Sequence, residues 1–263
     1  MHSNYFENMS KTKRLLLEIT CIGVLSALSY VGVMINIPIP SPLGRPLIHL
    51  GNLIVIISAL IFGGFIGGIS GSIGMGLYDL IAGYDVWSIA RTIILKFVMG
   101  VVVGLIYHRL IKKEKRPLMA YQLIIGSIFL FVGIVFLVVA IKYQGVWISS
   151  SLNKKATIYW PIYSFSILIG IILMVGGIFS KKLSYHLQCA LLATSSAIVV
   201  NLVGEFIYKL MKQMTLGGTN FVDSNVIALF SVPATLLNGV ITLVLVIFVF
   251  LPIKLSLDKS RAR

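Results

Sequence analysis

Apolar residues run along this chain in long stretches, separated by short polar, basic or proline-containing segments. The stretches lie near 15–37, 50–68, 70–83, 88–108, 120–141, 160–180, 187–208 and 226–251. A helix needs about 20 apolar residues to cross ~30 Å of hydrocarbon. The pattern therefore predicts about eight transmembrane helices. Spans two and three divide one continuous glycine-rich segment, and span three is short, so it is either tilted or partly re-entrant.

Composition agrees with this reading. Of 263 residues, 58% are hydrophobic and 11% charged, with a mean hydropathy of +0.99. Soluble domains carry about 25% charged residues, so a water-facing surface is excluded. The net charge of +14 does not point to nucleic acid, because the basic residues sit in short segments beside the apolar runs. The segments 1–14, 109–116, 181–182 and 254–263 hold 14 of the 22 Lys and Arg, and 38–49, 142–158 and 209–225 hold 6. By the positive-inside rule, both termini are cytoplasmic. Lys11, Lys13 and Arg14 before an apolar run resemble a signal peptide. That run continues to about Ile37, too long for a signal core, so the first span is expected to be retained. The whole chain, 1–263, reads as a single membrane domain.

The segment IFGGFIGGISGSIGMG (61–76) contains two ladders of small residues at helical spacing. One is Gly63, Gly67, Gly71; the other is Gly64, Gly68, Ser72, Gly76. Small residues four apart let helix backbones approach closely in lipid. A phosphate loop would need a preceding strand, and a Walker loop also a Gly-Lys-Ser/Thr. Neither is present, so the glycines predict helix packing.

Polar groups inside the spans carry more information, since a mid-membrane charge costs ~3 kcal/mol or more. Lys96 lies near the middle of span four, on a stripe with Thr92, Gly100 and Gly104. Asn201 and Glu205 share one face of span seven, and Asn238 lies in span eight. Asp79 ends span three, and His49 and Asn52 open span two. Each has a structural alternative. Lys96 and Glu205 can neutralise each other, Asn201 and Asn238 can bind helix to helix, and Asp79 can cap a helix or pair with Arg91. His49 reads as an interfacial hydrogen-bonding group, not a metal ligand, because no second histidine lies nearby. Trp87, Trp147 and Trp160 read as interfacial anchors.

The outer segments narrow these choices. NIPIPSPLGRPLIH (36–49) has four prolines and favours extended chain. GYDVW (83–87) is a short turn with an acid between aromatics, and 211–225 is polar with a Gly-Gly hinge. Asp79, Tyr84, Trp87, His49 and Asn52 thus gather at the outer end, where a pocket would suit a small, flat, polar molecule. No zinc-protease HExxH, Walker motif or nucleophile elbow occurs, so an enzyme is not expected.

The segment HLGNLIVIISALIFGGFIGGISGSIGMGLYDLIAGYDVW (49–87), followed by a span bearing Lys96 and Gly100, resembles the substrate-binding (S) component of energy-coupling factor (ECF) vitamin transporters. It is most similar to the riboflavin-transporter-like group. VPATLLNGVITLVLVIF (232–248) is similar to the family's last helix. Gly23 and Ala27 resemble its Ala-x-x-x-Ala docking surface, with Gly in place of the first alanine. The resemblance covers about 1–115 and 185–255. It implies an all-α, six-helix bundle, to which 118–182 adds an inserted transmembrane hairpin that reads as lipid-facing. It also implies capture of a vitamin or precursor, such as riboflavin, a pyridoxine-type vitamer or hydroxymethylpyrimidine, outside a bacterial plasma membrane. His49, Asn52, Asp79, Tyr84, Trp87, Lys96, Asn201, Glu205 and Asn238 are the candidate binding residues, and the proline-rich loop is a candidate lid. Uptake would need a transmembrane coupling subunit and two ATPases, which use the ATP; the chain itself would hold no cofactor. The competing reading is a stand-alone proton-coupled transporter using Lys96 and Glu205, with a membrane enzyme the weakest.

Overall fold

The computed structural model describes residues 10–38, 47–113, 118–142, 146–149, 154–157, 165–179, 182–229 and 232–261. Helices dominate: α1 (Lys11–Met34), α2 (Gly51–Phe62), α3 (Gly64–Ile81), α4 (Val86–Lys112), α5 (Met119–Lys142), α6 (Phe165–Ile178), α7 (Tyr185–Thr215), α8 (Phe221–Leu229) and α9 (Val232–Arg261). Two antiparallel hairpins join them: β1 (Asn36–Pro38) with β2 (Leu47–His49), and β3 (Val146–Ser149) with β4 (Lys154–Thr157). By length and apolarity, α1, α4, α7 and the stretch Asp223–Leu257 each suffice to cross a membrane, and α2 and parts of α5 and α6 form shorter apolar helices. The protein is an all-α, multi-pass membrane protein.

The glycine-rich segment divides earlier than its hydropathy suggests. Gly63 adopts φ +104 and ψ 158, a backbone that L side chains avoid, and the helix breaks there. Helix α3 therefore gains a full 18 residues, and α2, with 12, becomes the short one at about 18 Å.

The two ladders face different neighbours. A Cβ on Gly67 would lie 2.5 Å from the Ala59 nitrogen of α2, and one on Gly71 would strike Val55 of the same helix. Gly64 and Gly68 instead meet α4, where a Cβ would come within 2.9 Å of Gly100 O and 2.8 Å of Phe97 O. Ser72 continues that face by donating to Ile93 O at 2.7 Å. Gly74 turns toward α1, against Ser26 and Ser29. Three helices thus close on α3 at backbone distance, where dispersion replaces the hydrophobic drive that lipid removes.

Helices α5 and α6 pack mainly on each other. Ile124, Ile128, Phe131, Ile171 and Val175 point outward, as expected of lipid contacts. Phe129, Ile169 and Leu173 turn inward and join Leu187, Leu191 and Leu236 in a core with α7 and α9. The hairpin is therefore lipid-facing on one side only. The other core lies between α2, α4, α7 and the end of α9, around Val55, Ile56, Leu60, Met99, Ala193 and Phe250.

Candidate functional site

One end of the bundle gathers α2, α3, α4, α7 and α9 around a cavity of about 320 Å³. Its wall includes His49, Asn52, Asp79, Tyr84, Lys96, Asn201, Glu205 and Asn238. Half of these groups are deeply buried: Asn52, Lys96, Asn201 and Asn238 are each between 5% and 7% exposed.

The α3–α4 turn sets the rim. Gly83 at φ +73 reverses the chain, and the Tyr84 N–H donates to Asp79 O at 3.0 Å. Asp85 then caps α4, accepting from the Ser88 N–H at 3.2 Å and the Ser88 hydroxyl at 2.7 Å. Lys212 of α7 donates to the same carboxylate at 2.7 Å. Burial pushes the Asp85 pKa up, but the bonds from Lys212 and Ser88 outweigh it and hold it down at about 2.

Below the rim, α4 presents Ser88, Arg91, Thr92 and Lys96 on one face. Ser88 shares a 2.8 Å hydrogen bond with Tyr208 OH. Arg91 donates to Glu205 Oε2 at 2.8 Å and to Thr92 Oγ1 at 3.1 Å, and its guanidinium lies 4.9 Å from the Tyr208 ring centre. The Thr92 hydroxyl donates to Asp79 Oδ2 at 2.5 Å. Lys96, deepest on this face, donates to Asn201 Oδ1 at 2.7 Å. Lys96 and Glu205 are thus not each other's partners: Glu205 pairs with Arg91, and Lys96 binds a neutral amide. Asp79 does not pair with Arg91 either; Thr92 stands between them.

On the opposite wall, Asn238 has both ends of its amide engaged. Its Oδ1 accepts from the His49 N–H at 3.0 Å, and its Nδ2 donates to Leu47 O at 2.7 Å. It grips the base of the β1–β2 hairpin beside the cavity. The tip, 39–46, which includes most of the candidate lid, lies outside the described residues. His49 Nδ1 accepts from the Gly51 N–H at 3.2 Å.

Trp87 corrects an expectation. It is 63% exposed and does not line the cavity. Helix α4 starts at Val86, and successive helical residues are rotated by about 100°, so placing Ser88 toward Tyr208 turns Trp87 outward. Gly23 and Ala27 lie on an open face of α1, and a Cβ at Gly23 would meet nothing within 4 Å. Trp160 lies outside the described residues. Among the described residues, no group of three or more His, Cys, Asp or Glu is placed to hold a metal.

Arg91, Thr92, Ser88, Tyr208, Lys209 and Lys212 are further lining residues that the candidate set lacked. The signal for the α7 members was present: 201, 205, 208, 209 and 212 share a helical face. It was hidden because α7 runs to Thr215, beyond the apolar span.

Comparison with known proteins gives the relation. The family described as "ECF-type riboflavin transporter, S component" matches residues 15–159, just over half of the chain. The chain belongs to that family. The match runs past 115 into α5 and the β3–β4 hairpin. A curated relative from Pyrococcus woesei, described as "Uncharacterized protein in gap 3'region", is 33% identical over 78 residues, 30% of this chain and 50% of the relative. The chain thus spans about half the length of that relative. No solved structure matches significantly. As an S-component family member with several apolar helices, the protein is a multi-pass cell-membrane protein.

Proposed function

We propose that this S component captures a vitamin or vitamin precursor from the outer side of the membrane and delivers it through a coupling subunit driven by two ATPases. The supporting observation is the cavity itself. Five helices contribute polar groups to a partly open cavity of about 320 Å³, near the lower end of the roughly 300–1,000 Å³ usual for small-molecule sites. It lies at the end of the bundle that the positive-inside rule assigns to the outside. The S-component relationship supports a partner ECF module, with Gly23 and Ala27 on the open face of α1 as its docking contact. Helices α5 and α6 pack against α7 and α9, and α5 falls within the family match.

The protein binds and releases, with no chemistry of its own. His49, Asn52, Asp79, Tyr84, Lys96, Asn201 and Glu205 contact the ligand in this reading, and Asn238 holds the hairpin in place beside it. A stand-alone proton-coupled transporter is less well supported, because Lys96 and Glu205 have separate partners. The test is uptake into vesicles of purified protein with and without the coupling subunit and ATPases. ATP-dependent uptake that survives collapse of the proton gradient supports capture for an ECF module; uptake by the chain alone, lost with the gradient, contradicts it.

A further inference from the structure

The cavity wall carries four cationic side chains, Arg91, Lys96, Lys209 and Lys212, and three carboxylates, Asp79, Asp85 and Glu205. Most are matched within the protein. Arg91 pairs with Glu205 and Lys212 with Asp85, and Asp79 accepts from Thr92. Two cations, Lys209 and Lys96, form no ion pair among the described residues, and Lys96 is the more buried of the two. It is 5% exposed and bonded to the neutral Asn201; among the described residues, no carboxylate forms an ion pair with it. An ammonium has three N–H donors, and a buried charge without a counter-ion is costly. Two further buried atoms on the same wall have no hydrogen-bond partner among the described residues: the acceptor Asn52 Oδ1 and the donor Arg91 Nε.

We infer that the molecule captured here is a monoanion, a small carboxylic acid whose carboxylate seats at Lys96 and whose hydrogen-bond donor faces Asn52. The inference rests on the capture reading and narrows its substrate class. The single surplus positive charge matches one carboxylate; a phosphate, at nearly two charges, would overcompensate. An uncharged heterocycle would fill the space and leave the wall's surplus positive charge unmatched.

The test uses the purified full-length chain in detergent and matched pairs differing only at the acid: nicotinate with nicotinamide, biotin with biotinamide, pantothenate with panthenol. Riboflavin is the uncharged comparator. Binding is read by thermal shift, since a ligand selective for the native state raises the melting temperature, and any co-purified molecule is extracted and read by mass spectrometry. The expected result is at least one acid, from the panel or the extract, bound tenfold or more tightly than its amide. K96Q loses that preference and K96R keeps it, and the melting temperature of unliganded K96Q shows whether it folds. If K96Q does not fold, the acid-to-amide ratio of the wild type and K96R decides alone. Tight binding of riboflavin or an amide, with no acid preferred, overturns the monoanion and leaves capture standing. The absence of any shift and of any co-purified molecule overturns both.

Discussion

Arg91 on α4 donates to Glu205 on α7 across 2.8 Å, with 18% and 16% of the two side chains exposed. This pair joins the two helices that carry most of the cavity's charge. Removing one partner of a fully buried pair costs about 3–5 kcal/mol, and the residual exposure here puts the cost below that. E205Q should lower the melting temperature of the unliganded protein, and R91Q/E205Q should recover part of the loss. Equal melting temperatures for wild type and E205Q would show that the pair contributes nothing to the fold.

Trp87 projects away from the cavity at 63% exposure. W87A is expected to leave ligand affinity within about twofold of wild type. Equilibrium binding checks this, and a tenfold loss would return Trp87 to the site.

Gly100 meets α3 backbone to backbone, so any side chain there must displace main chain. G100L is expected to cost at least the roughly 1–3 kcal/mol of an overpacked core. Gly23 is the control, since a Cβ there meets nothing within 4 Å. Thermal unfolding of G100L and G23A in detergent separates them; similar melting temperatures would argue against close α3–α4 packing.

The same open face of α1 gives a functional prediction. G23L and A27L should bind ligand like wild type and lose ATP-driven uptake, because neither residue touches the cavity. Unchanged uptake in both variants removes α1 as the docking surface.

Asp85 supplies a pH signature. Its folded pKa, about 2, lies below the ordinary 3.8, so its carboxylate stabilises the fold fully above pH ~4, and that contribution is lost as pH falls toward 2. The stability difference between wild type and D85N should be constant from pH 8 to 5 and shrink below ~4. A difference that changes near pH 6–7 would assign the effect to another group.

Much of this was legible in the chain. The apolar runs predict the helices because lipid demands them, and small residues four apart predict where backbones touch. His49, Asn52, Asp79, Lys96, Asn201 and Glu205 stood out because polar groups in apolar spans are costly. What the sequence concealed were rotations and partners. The onset of α4 at Val86 decides that Ser88 faces inward and Trp87 outward, and hydropathy does not mark a helix start to one residue. Arg91 rather than Lys96 reaches Glu205, which depends on side-chain reach between helices far apart in sequence. Helix α7 extends four turns past Asn201 because polar residues continue a helix in water as readily as apolar ones do in lipid. The Gly63 break was hidden among its neighbouring glycines.

If the cavity is the capture site, filling it removes capture. Ala234, 7% exposed, lines the cavity from α9, so A234W should occupy ligand space. Small molecules co-purifying with wild type and A234W should be extracted and quantified by mass spectrometry per mole of folded protein. Wild type should retain a ligand, and A234W should retain at least tenfold less. Equal retention by a folded A234W protein would contradict capture at the cavity.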